Sequence, residues 1–297
     1  MQRTLLQLGT LNATIALTIL PHNYYLDKYR GLRAKYRMNQ EEEPVKEKCQ
    51  KRFEQVMDDM KLSDDRRDRL SLFHVYGYDI FSAGYYSTIF GRGVIGIPMN
   101  YEYESIKDVD KQMLFIQDKP LDWNKKESHV FLESIILSEN AQKYAMAREM
   151  MKILTRDIRY ETMTHAGIGA LAILLFESML YFVKVFRERR AYQVLMALFT
   201  YSGAFFTWTI IKIENNCNRD IKIDEYLLSL GSNYVKGANE FYNKLYERNK
   251  AVKLIRGDNS KSSTYMHEYL LRWNRGLSIP ERQSFFNSRL QNIQQVS

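Results

Sequence analysis

The sequence of 297 residues is poor in cysteine. Its two cysteines, Cys49 and Cys217, are too few and too far apart in sequence for a disulfide framework or a thiolate metal site. Cys49 falls on an apolar stripe with Phe53 and Val56, which predicts core packing. The sequence leaves the redox compartment open.

Histidine is also scarce, and its placement argues against several kinds of chemistry. The sequence has five histidines, and no two of them form a close pair. A metal cluster and a Cys–His or Ser–His dyad are therefore not predicted from spacing. We expect no catalytic residue, no cofactor and no bound metal. The histidines are His22, His74, His129, His165 and His267.

Charged residues are nearly absent from two long apolar runs, residues 163–183 and 191–211. As a helix, each run is about 30 Å long, which is the thickness of the hydrocarbon core of a bilayer. A core helix of a soluble protein would normally show a polar face at every third or fourth position. Together with the basic linker 184–190, the two runs predict a transmembrane helical hairpin.

The first run carries one carboxylate, Glu177. A charged side chain at this depth costs about 2.5 to 3.5 kcal/mol on insertion scales, which the surrounding apolar residues offset. We consider Glu177 a candidate for contact with a partner helix or another protein; the alternative is a tolerated polar residue near an interhelical contact. Small residues four apart would let helices approach closely, and they are Ala166 with Ala170 and Thr200 with Ala204.

The net charge of +8 is unevenly distributed. Residues 22–161 contain 24 basic and 24 acidic side chains, whereas residues 212–297 contain 14 basic and 9 acidic ones. Basic segments near the membrane on either side of a neutral domain are typical of residues that set membrane topology and contact lipid headgroups. We therefore predict no binding of nucleic acid. Because 26% of the residues are charged, most of the chain is expected in water.

The N-terminal residues 4–20 are uncharged and mostly apolar. A small-residue cleavage site of a secretory signal is absent, and an arginine-rich transit peptide would need more than Arg3. We interpret this segment as a marginal third span or a signal anchor, with a peripheral segment as the alternative. If it spans, the basic linker marks the inner side, and both large aqueous pieces lie outside.

The remaining pattern predicts an α+β aqueous domain, followed by the transmembrane hairpin and a helical C-terminal tail, with an additional N-terminal span. A helical pattern runs from Asn23 to Lys61, interrupted by the acidic run 41–43 and Pro44. Short strands are expected from Leu70 to Asn100, and helix returns near Lys125 and continues to Arg159. The predicted boundaries are 1–21 for the N-terminal segment, 22–161 for the aqueous domain, 162–212 for the hairpin and 213–297 for the basic tail.

One helix of the tail is amphipathic. Phe241 and Leu245 form its apolar face, and Gly257 is its expected stop. This helix could lie on anionic lipid, bind a partner helix or pack on the middle domain.

Two motifs suggest chemistry that their context does not support. Residues 91–96 match the glycine pattern of dinucleotide-binding loops, but the following Ile97-Pro98 cannot open the helix that this pattern requires. Residues 148–152 lie where a zincin helix precedes a membrane hairpin in some peptidases. Cations replace both histidine ligands there, so an amphipathic helix is the favoured interpretation.

The sequence resembles the transmembrane protein 177 family from about Leu70 onward. The residues that carry the likeness are Gly96-Ile97-Pro98, Asp122-Trp123, the central segment Leu137-Ser138 with Ala141, Gln142, Lys143, Tyr144, Ala145, Met146, Ala147, Arg148 and Glu149, and the tail segment 240–245 with Phe241 and Leu245, then Leu254 and Gly257. The central segment is the most specific of these. Residues 23–69 depart from the family pattern.

The resemblance implies a multi-pass protein of the mitochondrial inner membrane that helps to assemble cytochrome c oxidase. The implied partners are subunit II of the oxidase and the chaperone of that subunit, besides the membrane itself, and the family offers no catalytic residues to transfer. We therefore expect a non-catalytic assembly factor or scaffold. The alternatives are a membrane-tethered hydrolase or degenerate peptidase-like protein, and a protein that acts on lipid surfaces through its basic tail.

Overall fold

The computed structural model describes residues 2–23, 25–86, 91–116, 119–257 and 276–296. The described chain is mostly helical, with a small three-stranded sheet. Its helices are α1 Gln2–Asn23, α2 Leu26–Arg33, α3 Glu47–Asp59, α4 Asp64–Asp68, α5 Lys126–Ile135, α6 Glu139–Leu154, α7 Ile158–Phe182, α8 Lys184–Glu188, α9 Arg190–Ser229, α10 Ser232–Ile255 and α11 Ile279–Val296. Its strands are β1 Leu70–Val75, β2 Phe81–Gly84, β3 Gly93–Pro98, β4 Phe115–Ile116 and β5 Lys119–Pro120, and short 3-10 turns occupy Met99–Glu102, Ile106–Asp108 and Lys111–Met113.

The three-stranded sheet has the order β1-β3-β2, with β1 parallel and β2 antiparallel to the central β3. Every residue of β3 is buried, in keeping with its apolar and β-branched composition. Gly96 allows close packing, because a Cβ atom there would overlap the side chains of Val75 and Phe81. The prediction of short strands between Leu70 and Asn100 is confirmed, and the glycine pattern at 91–96 leads into a strand and not into a helix.

The main core forms around α6. Its residues Tyr144, Ala145, Met146 and Met150 are completely buried, because α3, α9, α10 and the sheet all pack against this helix. Cys49 on α3 is buried in the same core, as its apolar stripe predicted.

The prediction of one continuous helix from Lys125 to Arg159 is wrong, because the chain divides this stretch into α5, α6 and the start of α7. Ser138 begins α6, its hydroxyl accepting a hydrogen bond from the amide of Ala141 at 3.3 Å. Asp157 begins α7 in the same way, its carboxylate accepting from the amides of Arg159 and Tyr160 at 3.0 and 3.2 Å. Local capping residues therefore overrode the helical pattern.

The predicted helical pattern from Asn23 to Lys61, with its interruption, is confirmed as two helices, α2 and α3, and the non-helical segment between them begins earlier than predicted, at Ala34. Residues 34–46 between α2 and α3 form neither a helix nor a regular strand, and isolated bridges join Ala34 to Val75 and Tyr36 to Glu42. The amide of Lys35 donates to the carbonyl of His74 at 2.9 Å, which places this segment beside β1. The acidic run and Pro44 had indicated an interruption, but not its pairing with the sheet.

The most distinctive element is α9, an uninterrupted helix of 40 residues and about 60 Å. Its first half is the second apolar run, and its second half enters the core of the α+β domain, where Ile223 and Leu227 are fully buried. Residue 212, the expected end of the hairpin, lies within this helix.

The amphipathic tail helix is α10, and it packs on the middle domain against α5 and α6. Its residues Phe241 and Tyr242 are buried in the main core. The helix ends at Ile255, and Gly257 follows with a positive φ of 71°, as expected of a glycine that stops a helix. The last described helix, α11, also packs against α10.

Candidate functional site

Two helices, α7 and α9, are long and apolar enough to cross a membrane. The most apolar stretch of 18 residues has a mean hydropathy of 1.5 in α7 and 1.6 in α9. They pack against each other and are joined through the short α8. Within the most apolar 18-residue stretch, only 22% of α7 and 6% of α9 are buried inside the protein. A core helix of a soluble protein would be mostly buried, so this exposure supports a membrane environment for both helices.

The face that α7 turns toward α9 is apolar. The buried residues of α7 lie on one stripe of the helix, and they are Ala172, Ile173, Phe176 and Leu180. The ring centre of Phe176 lies 5.9 Å from that of Tyr201 on α9. Glu177 is half-buried beside this face. The small residues singled out in the sequence divide between the two environments: Ala166, Thr200 and Ala204 are half-buried, and Ala170 is exposed.

The N-terminal helix α1 packs along α7. Gly169 marks their close approach, because a Cβ atom there would overlap the side chain of Leu11. The hydroxyls of Thr10 and Thr14 donate to carbonyls of their own helix, at 2.9 and 2.8 Å. The hydroxyl donors of both threonines are therefore satisfied within α1 itself.

Two glycines of the hairpin lie on open surface. A Cβ atom at Gly167 of α7 or Gly203 of α9 would meet no atom of the described residues within 4 Å. These positions therefore differ from Gly169, since a larger side chain there would project away from the protein. Another helix could approach closely at these two positions.

The second half of α9 is fixed to the domain by a buried polar network that we call the anchor cluster: Asp220, Asp224, Arg282, Tyr144 and Tyr242. The Arg282 guanidinium of α11 pairs with the Asp220 carboxylate and donates to Asp224 Oδ1 at 3.0 Å and to the Tyr242 hydroxyl at 2.7 Å. The Tyr144 hydroxyl lies 3.1 Å from Asp224 Oδ1 and 3.0 Å from the Tyr242 hydroxyl. All five side chains are buried.

In the anchor cluster one cation, Arg282, contacts two carboxylates of α9. Both carboxylates lie well beyond residue 211, where the apolar run of α9 ends. Burial favours a protonated Asp220, but the charge and hydrogen bond of Arg282, together with the charges of Arg148 and Lys152, outweigh burial and hold the pKa of this carboxyl below its usual value. Burial dominates at Asp224 and raises its pKa. Arg282 is the cation that contacts both carboxylates, so its removal would leave two buried carboxylates without a paired cation, and Arg282 therefore links α9 to the rest of the domain.

A second polar group surrounds Glu149 of α6, the position compared with a zincin helix. Its carboxylate accepts from Lys152 Nζ at 2.6 Å, from Ser82 Oγ at 2.6 Å and from Arg148 Nη1 at 3.1 Å. Although burial favours the neutral acid, these two cations hold the pKa of Glu149 below its usual value. Burial, with the nearby Arg148, lowers the pKa of Lys152 to about 8. The carboxylate is fully engaged within the protein, which is the arrangement of a structural ion pair.

No group of three or more His, Cys, Asp or Glu side chains that could hold a metal ion occurs among the described residues.

Most residues that carried the family resemblance lie in the core. Buried ones are Gly96, Ile97, Pro98, Ala141, Gln142, Ala145, Ala147, Glu149 and Phe241; half-buried ones are Trp123, Lys143, Arg148 and Leu245; and Asp122 is exposed. The structure brings the central segment 141–149 and Phe241 together in one core. Gln142 accepts a hydrogen bond from the buried Arg52, and Trp123 lies under the ammonium of Lys111.

Sequence reasoning missed the anchor cluster. Asp220 and Asp224 are one helical turn apart, on the side of α9 that also carries Ile223 and Leu227. Carboxylates interleaved with an apolar stripe were the available signal, but no local pattern pairs them with Arg282, about sixty residues further on.

Two exposed apolar helices that continue into a large folded domain define the class: this chain is a membrane protein with two candidate spans. Its resemblance to the transmembrane protein 177 family is confirmed by curated relatives. The chain is 24% identical over 257 residues to Transmembrane protein 177 of Danio rerio, covering 84% of this chain and 78% of the relative. It is 22% identical over 260 residues to that of Xenopus laevis, covering 84% and 81%, and 22% identical over 189 residues to that of Rattus norvegicus, covering 62% and 59%.

No family model matches the chain, and no solved structure matches it.

Proposed function

We propose that this protein is a non-catalytic assembly factor of the mitochondrial inner membrane that stabilises newly made cytochrome c oxidase subunit II and the chaperone of that subunit. The proposed location, the assembly role and the partners are what the resemblance to the transmembrane protein 177 family implies. The observation that carries the proposal is the exposure of the most apolar 18-residue stretches of α7 and α9, of which only 22% and 6% are buried within the protein. This surface is available both to lipid and to the membrane helices of a client.

The proposed layout places α7 and α9 across the bilayer, with α1 beside them as a third span. Leu11 and Gly169 meet near the middle of α1 and of α7, as two helices that cross the bilayer side by side would. The basic linker 184–190 then faces the inner side together with the N-terminus. Since α10 and α11 pack into the same body as α3 and the sheet, both aqueous pieces lie together on the other side.

In this layout two surfaces recognise the client, the membrane hairpin and the α+β domain, and they are held in a fixed arrangement. Gly167 and Gly203 leave space for a client helix within the membrane. Because α9 is continuous and the anchor cluster holds its second half, a helix bound to the hairpin has a defined position below the aqueous domain. The proposed role is therefore to hold a membrane helix and its exposed loop in one arrangement during assembly.

The proposal is tested by crosslinking and affinity capture from mitochondria, comparing the wild-type chain with Gly167→Leu and Gly203→Leu. Both substitutions add bulk where the protein has space, so the fold should be kept while recovery of the oxidase subunit and its chaperone falls. The matched control is Leu174→Phe, which enlarges a side chain that is already exposed to lipid. Equal recovery with wild-type and both glycine variants, or no respiratory subunits with any of them, would contradict the proposal.

The alternative function is a membrane-tethered hydrolase or a degenerate peptidase-like protein. Metal analysis of the purified protein separates the two proposals. Stoichiometric zinc would overturn the scaffold proposal, whereas the scaffold proposal expects no stoichiometric metal.

A further inference from the structure

We propose that the ends of α7 and α9 nearest the α+β domain form a binding site for the phosphate of an anionic phospholipid, with Lys212 and Arg219 as its cationic ligands. The inference goes beyond the assembly role and does not depend on it. It rests on the membrane placement of the two helices given under Proposed function.

The two cations and a tryptophan share one face of α9. Lys212 follows Trp208 by four residues, and Arg219 follows Lys212 by seven. This spacing places the three side chains within about 40° of each other around the helix. The ammonium of Lys212 lies 5.0 Å from the centre of the Trp208 ring. The ring of His165 on α7 lies 5.2 Å from the same indole.

Positive charge at this junction exceeds its local compensation. Arg156 and Arg219 share the single carboxylate of Glu161: Arg156 Nη2 lies 2.9 Å from Glu161 Oε2, whereas Arg219 Nη1 lies 3.9 Å from Oε1. Lys212 forms no hydrogen bond or ion pair with the described residues, and Nε of Arg219 lacks a hydrogen-bond partner among them. Three cations therefore surround one carboxylate.

Neighbouring charged residues do not remove this excess. Asp157 lies 3.7 Å from Arg159, so these two compensate each other. Glu214 accepts a hydrogen bond from Asn218 at 3.1 Å, and its position two residues after Lys212 places it on the opposite side of α9. The next carboxylate along α9, Asp220, pairs with Arg282 in the anchor cluster.

The position of the site favours a lipid over a free ion. Glu161 lies two residues before the apolar run of α7, and Lys212 directly follows that of α9, so both lie at the level of the headgroups in the proposed layout. Tryptophan and lysine at this level are typical of the membrane–water interface. A phosphate of the surrounding bilayer would reach Lys212 and Arg219, which remain partly exposed.

The test uses the full chain in vesicles and the fluorescence of Trp208. In a background of Trp123→Phe and Trp273→Phe, Trp208 is the only tryptophan, and brominated lipids quench it when they are neighbours. Vesicles of phosphatidylcholine contain a fixed fraction of brominated phosphatidylglycerol or, separately, the same fraction of brominated phosphatidylcholine. We expect stronger quenching by the anionic lipid, corresponding to an enrichment of about fivefold per cation.

The variant Lys212→Gln/Arg219→Gln should reduce the two quenching efficiencies to the same value. Its control is Lys236→Gln/Lys250→Gln, which removes the same charge from exposed positions of α10 and should keep the preference. The charge-preserving Lys212→Arg should keep it as well, which separates loss of charge from loss of fold. Equal quenching by both lipids in the wild-type background, or an unchanged preference in the first variant, would overturn the proposal.

A last arm distinguishes a lipid from free phosphate and from failed insertion. If inorganic phosphate abolishes the preference and sodium chloride of equal ionic strength does not, the site binds free phosphate. That result would overturn the assignment to lipid. Quenching by neither brominated lipid would show that Trp208 is not in the bilayer, and the membrane placement would then fail together with this site. Quenching by both without preference would overturn the site alone.

Discussion

Arg282 illustrates how one residue can join distant parts of this chain. It comes from the last described helix and compensates two carboxylates of α9, while its guanidinium also contacts the hydroxyl of Tyr242. A buried arginine with several partners costs desolvation energy, and the loss of one partner is costly because the others remain buried. The strength of the anchor cluster therefore depends on this single side chain.

Replacing Arg282 by methionine should destabilise the protein by about 3 to 5 kcal/mol, because Asp220 and Asp224 lose their buried cation. The measurement is thermal or denaturant unfolding of the purified protein in detergent. Arg289→Met is the control on the same helix, since Arg289 is exposed, and its effect should stay within about 0.5 kcal/mol. Similar stability of the two variants would show that the anchor cluster does not hold α9 to the domain.

Glu149 should make stability depend on acid pH. Its pKa is lower in the folded protein than the ordinary value of 4.5, so its contribution is present above pH 4.5 and is lost as pH falls through the folded pKa. Lys152, Arg148 and Ser82 face this carboxylate and favour its charged form. Glu149→Gln should be less stable at neutral pH and should lose less stability on acidification.

Unfolding midpoints of wild-type and Glu149→Gln at several pH values below neutrality check this prediction. Glu225→Gln, a substitution of an exposed carboxylate on α9, serves as the control and should follow the wild-type curve. Parallel curves for wild-type and Glu149→Gln would contradict the assigned role of this ion pair.

At the scale of the elements, the glycines of α7 separate internal packing from open surface. Gly169 meets Leu11 of α1, whereas Gly167 meets nothing among the described residues, although the two positions are only two residues apart. Helices in a membrane associate mainly through such close packing, since lipid is as apolar as their side chains. The position of α1 beside α7 therefore depends on the small size of residue 169.

Gly169→Leu should displace α1 and lower the unfolding midpoint in detergent, because a leucine would overlap Leu11. Gly167→Leu is the matched control and should leave the midpoint unchanged. Comparable midpoints for the two variants would mean that α1 does not pack on α7 as described.

The sequence predicted the elements whose pattern is local. The apolar runs of α7 and α9, the strands between Leu70 and Asn100 and the end of α10 at Gly257 were all legible from composition and spacing. The breaks at Ser138 and Asp157 were missed because a capping residue competes with a helical pattern over only a few positions. The pairing of residues 34–36 with β1, and of Arg282 with α9, depends on contacts between distant segments that one sequence does not reveal.

At the scale of the whole molecule, the folded domain and the apolar helices form one structure. The domain has a conventional buried core, whereas most apolar side chains of the hairpin remain exposed, including Phe199 and Phe206. Such an apolar surface on a soluble protein would drive aggregation, while the same surface in a bilayer needs no further partner. Because α9 belongs to both parts, the domain should be held at a fixed position relative to the membrane.

The most direct test of this account is extraction of membranes that contain the full chain with alkaline carbonate. Insertion of α7 and α9 into the hydrocarbon core predicts that the protein stays in the membrane pellet after this treatment, as integral proteins do. Release of the folded protein into the supernatant would show that the apolar helices are covered in some other way, and it would contradict the account.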